Sequence, residues 1–494
     1  MPDTSTPRPR HYLLVGAALI GLFAAVSVAR LIDGDEGFYL VAARLVTEGK
    51  RPYGDFFYLQ MPILPYALAG WMSLVGAGWY AARILAAILA ASVGLLVFHA
   101  SVRSTRSLRL ALLATLLFAA CGLSLGWFSP VKTYGLSELL LLSAYLCAGS
   151  DRRASLLASG LCIGLATSVR LYLIVAAPCV AVHLLRRSGR IRDSLAPLAC
   201  VAAGTLLGLL PCLPFLLGDR EAFVFDTFTF HSMRYPEGGE GLVGAFGPKL
   251  ATVLSLLGLR ESEGTGGIQF LALLAAGLIA LPGRKNSLAA SFWIVLGATS
   301  LLPNPTFNQY FCLIVPFLAI GIAERLGESM PLAPWASRAF VLALLLYMVL
   351  GALDARRFVA TGVRVPGIEE PRNAVNWSIP TVQEIGRGID EVGTDLGASW
   401  WPGYFAFTRT RIVTEMANDF SIRAAPRLTA EQRARFHIPS YEDIGRMIET
   451  GSPRLFVEGN WSPSRLGTIL PQYGYRVREQ VARTRIWERP LPGR

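Results

Sequence analysis

Apolar runs recur along this chain at about 12–30, 80–100, 110–127, 133–149, 154–169, 171–185, 195–217, 268–282, 287–302, 309–325 and 335–353. A helix of roughly 20 apolar residues crosses the hydrocarbon of a bilayer. Inside lipid, only helices and closed barrels satisfy their own backbone. The fold class that follows is a polytopic α-helical membrane protein of about 11 spans. Two runs, around 154–185, are short and meet at Arg170, so a tilted or broken pair is expected there. The stretch 62–76 is punctuated by Pro62, Pro65 and Gly70 and reads as an interfacial or re-entrant helix. Arg8, Arg10 and the run ending Ser27-Val28-Ala29 have the layout of a signal peptide. That run is long for a signal core, so a retained first helix is expected.

Charge orients the spans. Arg8/Arg10, Arg103/Arg106/Arg109, Arg152/Arg153, Arg186/Arg187/Arg190/Arg192 and Arg284/Lys285 fall in alternate loops, which are therefore read as cytoplasmic. Loops 31–79, 218–267 and 303–308 then face outward, and an odd number of spans places residues 354–494 outside too. The net charge of +12 might point to nucleic acid. These cations instead sit in clusters between apolar runs, without a basic stripe of interleaved aromatics, and no nucleic-acid partner is expected. All seven cysteines lie in apolar stretches without metal-ligand spacing, so neither disulfides nor structural zinc is indicated.

Residues 1–353 thus form a transmembrane domain and 354–494 an extracytoplasmic α/β domain. In the latter, helices are expected at Ile379–Val392, after the capping box Thr429-x-x-Gln432, and at Ser440–Ile448. Strands are expected at Arg411–Glu415, Arg454–Glu458, Tyr475–Gln480 and Arg483–Glu488. Asn376-Trp377-Ser378 and Asn460-Trp461-Ser462 match the glycosylation sequon, a pattern that also arises by chance.

The first outer loop carries the most unusual chemistry: Asp33-Gly-Asp35-Glu36-Gly37-Phe38-Tyr39. Carboxylates against an apolar slab cost desolvation energy and are rarely there without a use. Asp35 could cap a helix starting at Glu36, but one cap does not account for three acids. Asp55 and Gln60 follow in the same loop. Lys132 and Glu138 lie near the fourth span, Arg170 at the turn of the short pair, and Asp226, His231, Arg234 and Lys249 after the seventh. Tyr310 opens the tenth. An acid able to take a proton, with cations able to hold a phosphate, suits transfer of a sugar from a phosphate leaving group. Each residue also has an ordinary reading. Arg170 could satisfy helix ends, His231 could be a plain loop residue and Glu138 a paired helical acid.

The pattern Asp35-Glu36-Gly-Phe-Tyr39, Ala43, Gly49, Pro52-Tyr53 and Asp55-Phe56, followed by Pro62 and Arg83, resembles the polyprenyl-phosphate-dependent glycosyltransferases of GT-C fold. These are the protein-mannosyltransferase-like family, which includes the lipid A aminoarabinose transferases. Gly160-x-x-x-Gly164-Leu-Ala-Thr-Ser-x-Arg170 and Tyr310-x-x-x-x-x-Pro316 are similar to later spans of that family, so the resemblance covers residues 12–326. It implies a GT-C-like fold with Asp35 as general base and Glu36 beside it. It further implies a polyprenyl-phosphate sugar donor and a glycolipid, glycan or protein acceptor. Substrate contacts are expected from Arg170, Lys132, Arg234, Tyr310, Tyr39, Asp55, Gln60, Glu138 and His231. This chain has Gln60-Met61-Pro62 where the family has Lys-Pro-Pro, and Lys132 and Glu138 only approximate its Arg and Asp. No cofactor is required by the pattern; if a divalent cation takes part, Asp33 and Asp35 are its candidate ligands. The expected location is a bacterial inner membrane with the N-terminus cytoplasmic. A transporter or flippase is the rival reading, although no second copy of the acidic loop exists to form the repeat common in transporters. A partner-binding scaffold is the third.

Overall fold

A computed structural model describes residues 7–233, 242–259, 267–281, 287–303, 305–328, 334–361 and 371–491. The chain opens with α1 (Pro9–Ala29), α2 (Gly34–Thr47), α3 (Ile63–Val75) and α4 (Trp79–Thr105). Then come α5 (Leu108–Ala119), α6 (Gly122–Phe128), α7 (Thr133–Ala148), α8 (Arg153–Thr167), α9 (Ala176–Ser188) and α10 (Ile191–Leu209). Each of the eleven apolar runs is helical, but their lengths differ from the expectation. Six helices among the described residues are long and apolar enough to cross a membrane: Pro9–Ala29, Trp79–Thr105, Leu171–Ser188, Ile191–Gly218, Asn308–Glu328 and Ser337–Ala360. The pair α5–α6, bent by 63°, makes a seventh if the two helices form one broken span. The other apolar helices, such as Thr133–Ala148 and Leu288–Ser300, have only 16 and 13 residues. Helix length among the described residues thus supports six or seven full-length crossings and does not confirm the figure of eleven.

Two compact units emerge. The first comprises Met1–Ala29, Arg83–Pro211 and Gly239–Val359; the second comprises Arg30–Ala82, Cys212–Gly238 and Ala360–Arg494. The loop 31–79 thus groups with the C-terminal region, a division that follows space rather than chain order.

Two features set the geometry of the first unit. At the α5–α6 break, backbone groups leave the helical ladder among buried residues, where leaving them unsatisfied is costly. The side chain of Gln269 replaces the lost partners. Its Oε1 accepts from the Gly122 N–H (2.8 Å), and its Nε2 donates to the carbonyls of Ala120 (2.8 Å) and Tyr347 (2.7 Å). The Tyr347 hydroxyl donates to the Leu117 carbonyl at 2.7 Å. The second feature is the crossing of α8 and α10. A Cβ on Gly160 would overlap the Val201 carbonyl, and one on Gly164 the Thr205 carbonyl. From the other side, Gly204 and Gly208 face the Leu157 and Leu161 carbonyls just as closely. Two small-x-x-x-small faces thus let the backbones meet. Ser168 Oγ lies within 2.9 Å of the Gly164 carbonyl and 3.0 Å of that of Gly208, fixing the end of α8 just before Arg170.

The second unit contains a five-stranded sheet of order β2-β1-β3-β5-β4, with β1 (Leu396–Ser399), β2 (Arg411–Ile412), β3 (Leu455–Glu458), β4 (Arg476–Val481) and β5 (Thr484–Glu488). β1 runs parallel to β2 and β3, while β3–β5 and β5–β4 are antiparallel. Helices Ile379–Glu391, Ala430–Arg435 and Tyr441–Thr450 form where expected, the last two behind capping boxes at Thr429 and Ser440. The strand expected at Arg411–Glu415 is only two residues long and turns into a short 3-10 helix at Thr414–Met416. Both sequons are built into the core. Asn460 Nδ2 donates to the Asn376 carbonyl (3.2 Å), Asn376 Oδ1 accepts from the Arg483 N–H (3.2 Å), and both side chains are buried. Neither presents an amide for glycosylation.

Candidate active site

The acidic stretch folds differently from the sequence expectation. Helix α2 starts at Gly34, and its cap is Asp33 rather than Asp35. Asp33 is extended (φ −81°, ψ 138°) and its side chain takes the first-turn N–H groups, with Oδ1 3.1 Å from the Asp35 nitrogen. Glu36 Oε1 reaches back to the Asp33 N–H at 2.7 Å and completes a capping box. Arg30 Nη2 stands 3.6 Å from Asp33 Oδ2, with both side chains fully buried. Two of the three acids thus serve the helix start, where the sequence reading offers one, Asp35, as the cap. Asp35, in the first turn and half-buried, is the acid whose carboxylate the box does not use. A negative charge there also suits the positive end of the helix dipole.

The rest of the first loop is held from segment 212–233 of the same unit. Tyr53 adopts φ +70°, donates its hydroxyl to the Gln60 carbonyl (2.7 Å), and packs edge-on against Phe215 and Phe223. A turn of π-helix at Phe225–Thr229, a distortion often found at functional sites, delivers Asp226. Asp226 Oδ2 accepts from the Tyr58 N–H at 2.9 Å, and His231 Nε2 donates to the Leu59 carbonyl at 3.0 Å. His231 is thereby a clamp on the loop backbone. Asp55 plays a local part, its Oδ2 accepting from the Arg51 N–H (2.6 Å), and Gln60 is half-exposed. Tyr39 is buried beside Phe38, their ring centres 4.2 Å apart. Arg234 lies outside the described residues.

Asp226 is fully buried, and its Oδ1 has no hydrogen-bond partner among the described residues. Burial pushes its carboxyl well above the ordinary range, with the Tyr58 N–H acting in the opposite direction. A raised acid contributes stability that is complete below the unfolded value of about 3.9. That contribution is lost as pH rises through the folded value, because the unfolded chain then sheds its proton first. Asp226→Asn cannot ionise and can still accept from Tyr58. Its thermal midpoint should accordingly fall less than that of the wild type between pH 5 and pH 8, as followed by unfolding of the purified protein in nanodiscs.

The first unit holds a second polar centre, built at the start of α7 and the end of α8. Lys132 Nζ donates to Gln309 Oε1 (2.7 Å) and lies 4.9 Å from the Trp127 ring. Arg170 Nη1 donates to Thr133 Oγ1 (2.6 Å), and its guanidinium sits 4.6, 5.1 and 5.5 Å from the rings of Tyr134, Tyr172 and Tyr310. Both cations are nearly inaccessible, at 4% and 6% exposure. The hydrogen bonds to Gln309 and Thr133 go to neutral groups, and the aromatic faces favour a cation. Glu138 is completely buried, and neither carboxyl oxygen has a hydrogen-bond partner among the described residues. The structure therefore gathers Lys132, Arg170 and Tyr310. It adds Thr133, Tyr134, Tyr172 and Gln309, which were signalled only by standing one or two residues from chosen positions. Lys249 is apart from them, donating to the Leu302 carbonyl at 3.2 Å. Among the described residues no group of three or more His, Cys, Asp or Glu side chains is placed to hold a metal ion.

No protein-family model matches this chain. No curated protein matches it in sequence. Solved structures do resemble it. ArnT from Cupriavidus metallidurans bound to undecaprenyl phosphate aligns at 15% identity and a TM-score of 0.63, covering 98% of this chain and 99% of that one. The apo state of the same protein aligns at 16% identity with a TM-score of 0.66, over 97% and 98% of the two chains. The apo oligosaccharyltransferase from Archaeoglobus fulgidus aligns at 15% identity with a TM-score of 0.52, over 90% of this chain and 69% of that one. The likeness takes in the C-terminal region, beyond the residues 12–326 on which sequence motifs resembled the family. The chain has the GT-C fold of a multi-pass membrane protein.

Proposed function

We propose that this protein is an integral membrane glycosyltransferase that moves a sugar from a polyprenyl-phosphate-linked donor to an acceptor outside the cytoplasm. The observation that carries the proposal is the aromatic-walled pair of buried cations, Lys132 and Arg170. A phosphate matches that chemistry, since a guanidinium presents a planar fork to it. The GT-C fold supports the same class, ArnT having been solved with undecaprenyl phosphate. In the reaction, Asp35 takes the proton of the acceptor hydroxyl as its oxygen attacks the anomeric carbon. The bond from that carbon to the phosphate oxygen breaks and its electron pair stays on the phosphate. Buried cations of the kind that Lys132 and Arg170 provide suit stabilisation of that developing charge. The acceptor is a glycolipid, a glycan or a protein.

The direct test is donor consumption by the purified protein in nanodiscs with polyprenyl-phosphate-linked sugars, compared with Arg170→Lys. Lysine keeps the charge but loses the planar contacts with Thr133 and the three tyrosine rings. The KM for donor should rise roughly tenfold at unchanged protein level. Loss of the variant from the membrane instead would make Arg170 a structural residue. Mass spectrometry of envelope glycans and glycolipids from a deletion strain would identify the transferred sugar.

Alternation of cationic loops supports a cytoplasmic N-terminus, with residues 31–79 and 354–494 on the opposite face of a bacterial inner membrane. Reporters fused after residues 105 and 150 should read cytoplasmic, and those after 240 and 400 extracytoplasmic. A cytoplasmic signal at 400 would overturn the odd number of crossings.

A further inference from the structure

The acidic helix α2 is held at both ends by residues of the C-terminal region. Trp401 is fully buried, and its Nε1 donates to the Gly34 carbonyl at 2.9 Å, one residue before Asp35. The indole lies so close to α2 that a Cβ on Gly37 would come within 2.7 Å of Nε1 and 2.9 Å of the Gly403 nitrogen. Trp377, whose carbonyl accepts from the Ile32 N–H at 2.7 Å, packs edge-on against Trp401 with ring centres 5.0 Å apart. Trp461 stands against Gly34, where a Cβ would overlap its ring, and packs against Trp377 at 5.4 Å. Trp79 stacks on the outer side of Trp401 at 6.1 Å. At the far end of α2, Arg44 Nη1 donates to the carbonyls of Phe405 and Thr410, and Lys50 Nζ donates to Thr414 Oγ1 at 2.9 Å.

Segment Trp401–Thr414 is therefore a splint along α2. Helix ends normally fray because their first turn lacks backbone partners. Here the turn carrying Asp35 is gripped at its first carbonyl by an indole that four neighbouring aromatic and glycine contacts keep in place. We infer that Trp401 is a positioning residue for Asp35, which gives the C-terminal region a part in the chemical step. The inference rests on Asp35 being the base proposed above. It needs no contact between Trp401 and any substrate.

Trp401→Phe keeps most of the ring packing and removes only the N–H. Trp487→Phe is the control: Trp487 is a buried sheet residue whose Nε1 donates to Glu458 Oε2 at 2.9 Å. Hydrogen exchange by mass spectrometry on the full-length protein in nanodiscs reads the helix directly. Trp401→Phe should raise exchange of the 33–39 amides roughly tenfold, with sheet peptides and the thermal midpoint unchanged. Turnover should fall roughly 10–100-fold with the KM for polyprenyl-phosphate sugar unchanged, as expected for a displaced catalytic group. Trp487→Phe should alter neither. Should Trp401→Phe fail to accumulate, Gly37→Ala, which pushes the same two groups apart, is expected to give the same pair of changes. Unchanged exchange at 33–39, or raised exchange with unchanged turnover, overturns the inference. If the wild type transfers no sugar from any polyprenyl phosphate, the glycosyltransferase reading fails instead, and the exchange data alone decide whether Trp401 holds α2.

Discussion

Asp35→Asn is expected to slow sugar transfer by roughly 10²–10⁴-fold, the loss typical of removing a general base, while the protein accumulates and unfolds like the wild type. The structure explains why this substitution is clean. Capping of α2 belongs to Asp33 and Glu36, so Asp35 can change without opening the helix. Turnover and thermal unfolding of the purified variant check the two halves of the expectation; near-normal turnover would move the role of base to another acid. The neighbouring substitution should behave in the opposite manner. Asn caps a helix about as well as Asp, but Asp33→Asn leaves Arg30 buried 3.6 Å from a neutral group. Breaking a buried pair from one side costs about 3–5 kcal/mol, so Asp33→Asn should chiefly lower stability and yield. The family resemblance chose Asp35 from three adjacent acids; the structure gives the other two, Asp33 and Glu36, the capping roles.

The largest effect on folding is expected at Gly164. Gly164→Leu places a branched side chain against the Thr205 carbonyl and the Gly208 backbone, where even one methyl group has no room. The α8–α10 crossing cannot then close, because its attraction is backbone-to-backbone packing and not exclusion of water. Overpacking typically costs 1–3 kcal/mol, and a helix pair forced apart also loses the Ser168 hydroxyl contact with Gly208. The variant should fail to accumulate in membranes, whereas Gly70→Leu on α3, where a Cβ meets nothing within 4 Å, should be produced normally. Quantitative blotting of membrane fractions would separate the two. Equal yields would show that the α8–α10 crossing tolerates separation.

Much of this architecture was legible because lipid leaves few solutions. All eleven apolar runs are helices, and the boundaries at Thr429 and Ser440 follow from side chains that can satisfy helix ends. What sequence did not settle were quantities set by partners distant in the chain. Span length depends on where a helix stops, and α7 and α8 end after 16 and 15 residues. β1 was missed because Leu-Gly-Ala-Ser has almost no strand propensity; pairing with β2 and β3 on both sides makes it a strand. At the candidate site, the role of an acid could not be read from its type. Asp33, Asp35 and Glu36 share two residue types but divide into cap, candidate base and box partner by backbone geometry alone. His231 was expected to contact substrate, and Asp226 stood only among the acids of its loop; both bind the backbone of the first loop from more than 160 residues away along the chain.

The broken span bears on how the protein is made. The α5–α6 break is completed by Gln269, 147 residues downstream of Gly122, and braced by Tyr347, 230 residues downstream of Leu117. At synthesis rates of about 5–20 residues per second, the break waits roughly 7–30 s for Gln269 to emerge. Residues 108–128 are therefore synthesised before their side-chain partners exist, and the contacts that complete the bend form only after those partners emerge. A ribosome stalled ahead of residue 269 would hold the early helices in the membrane with the kink still unsealed, a state open to quality-control proteases. The shape of the first half of this enzyme-like scaffold is thus decided by the timing of its second.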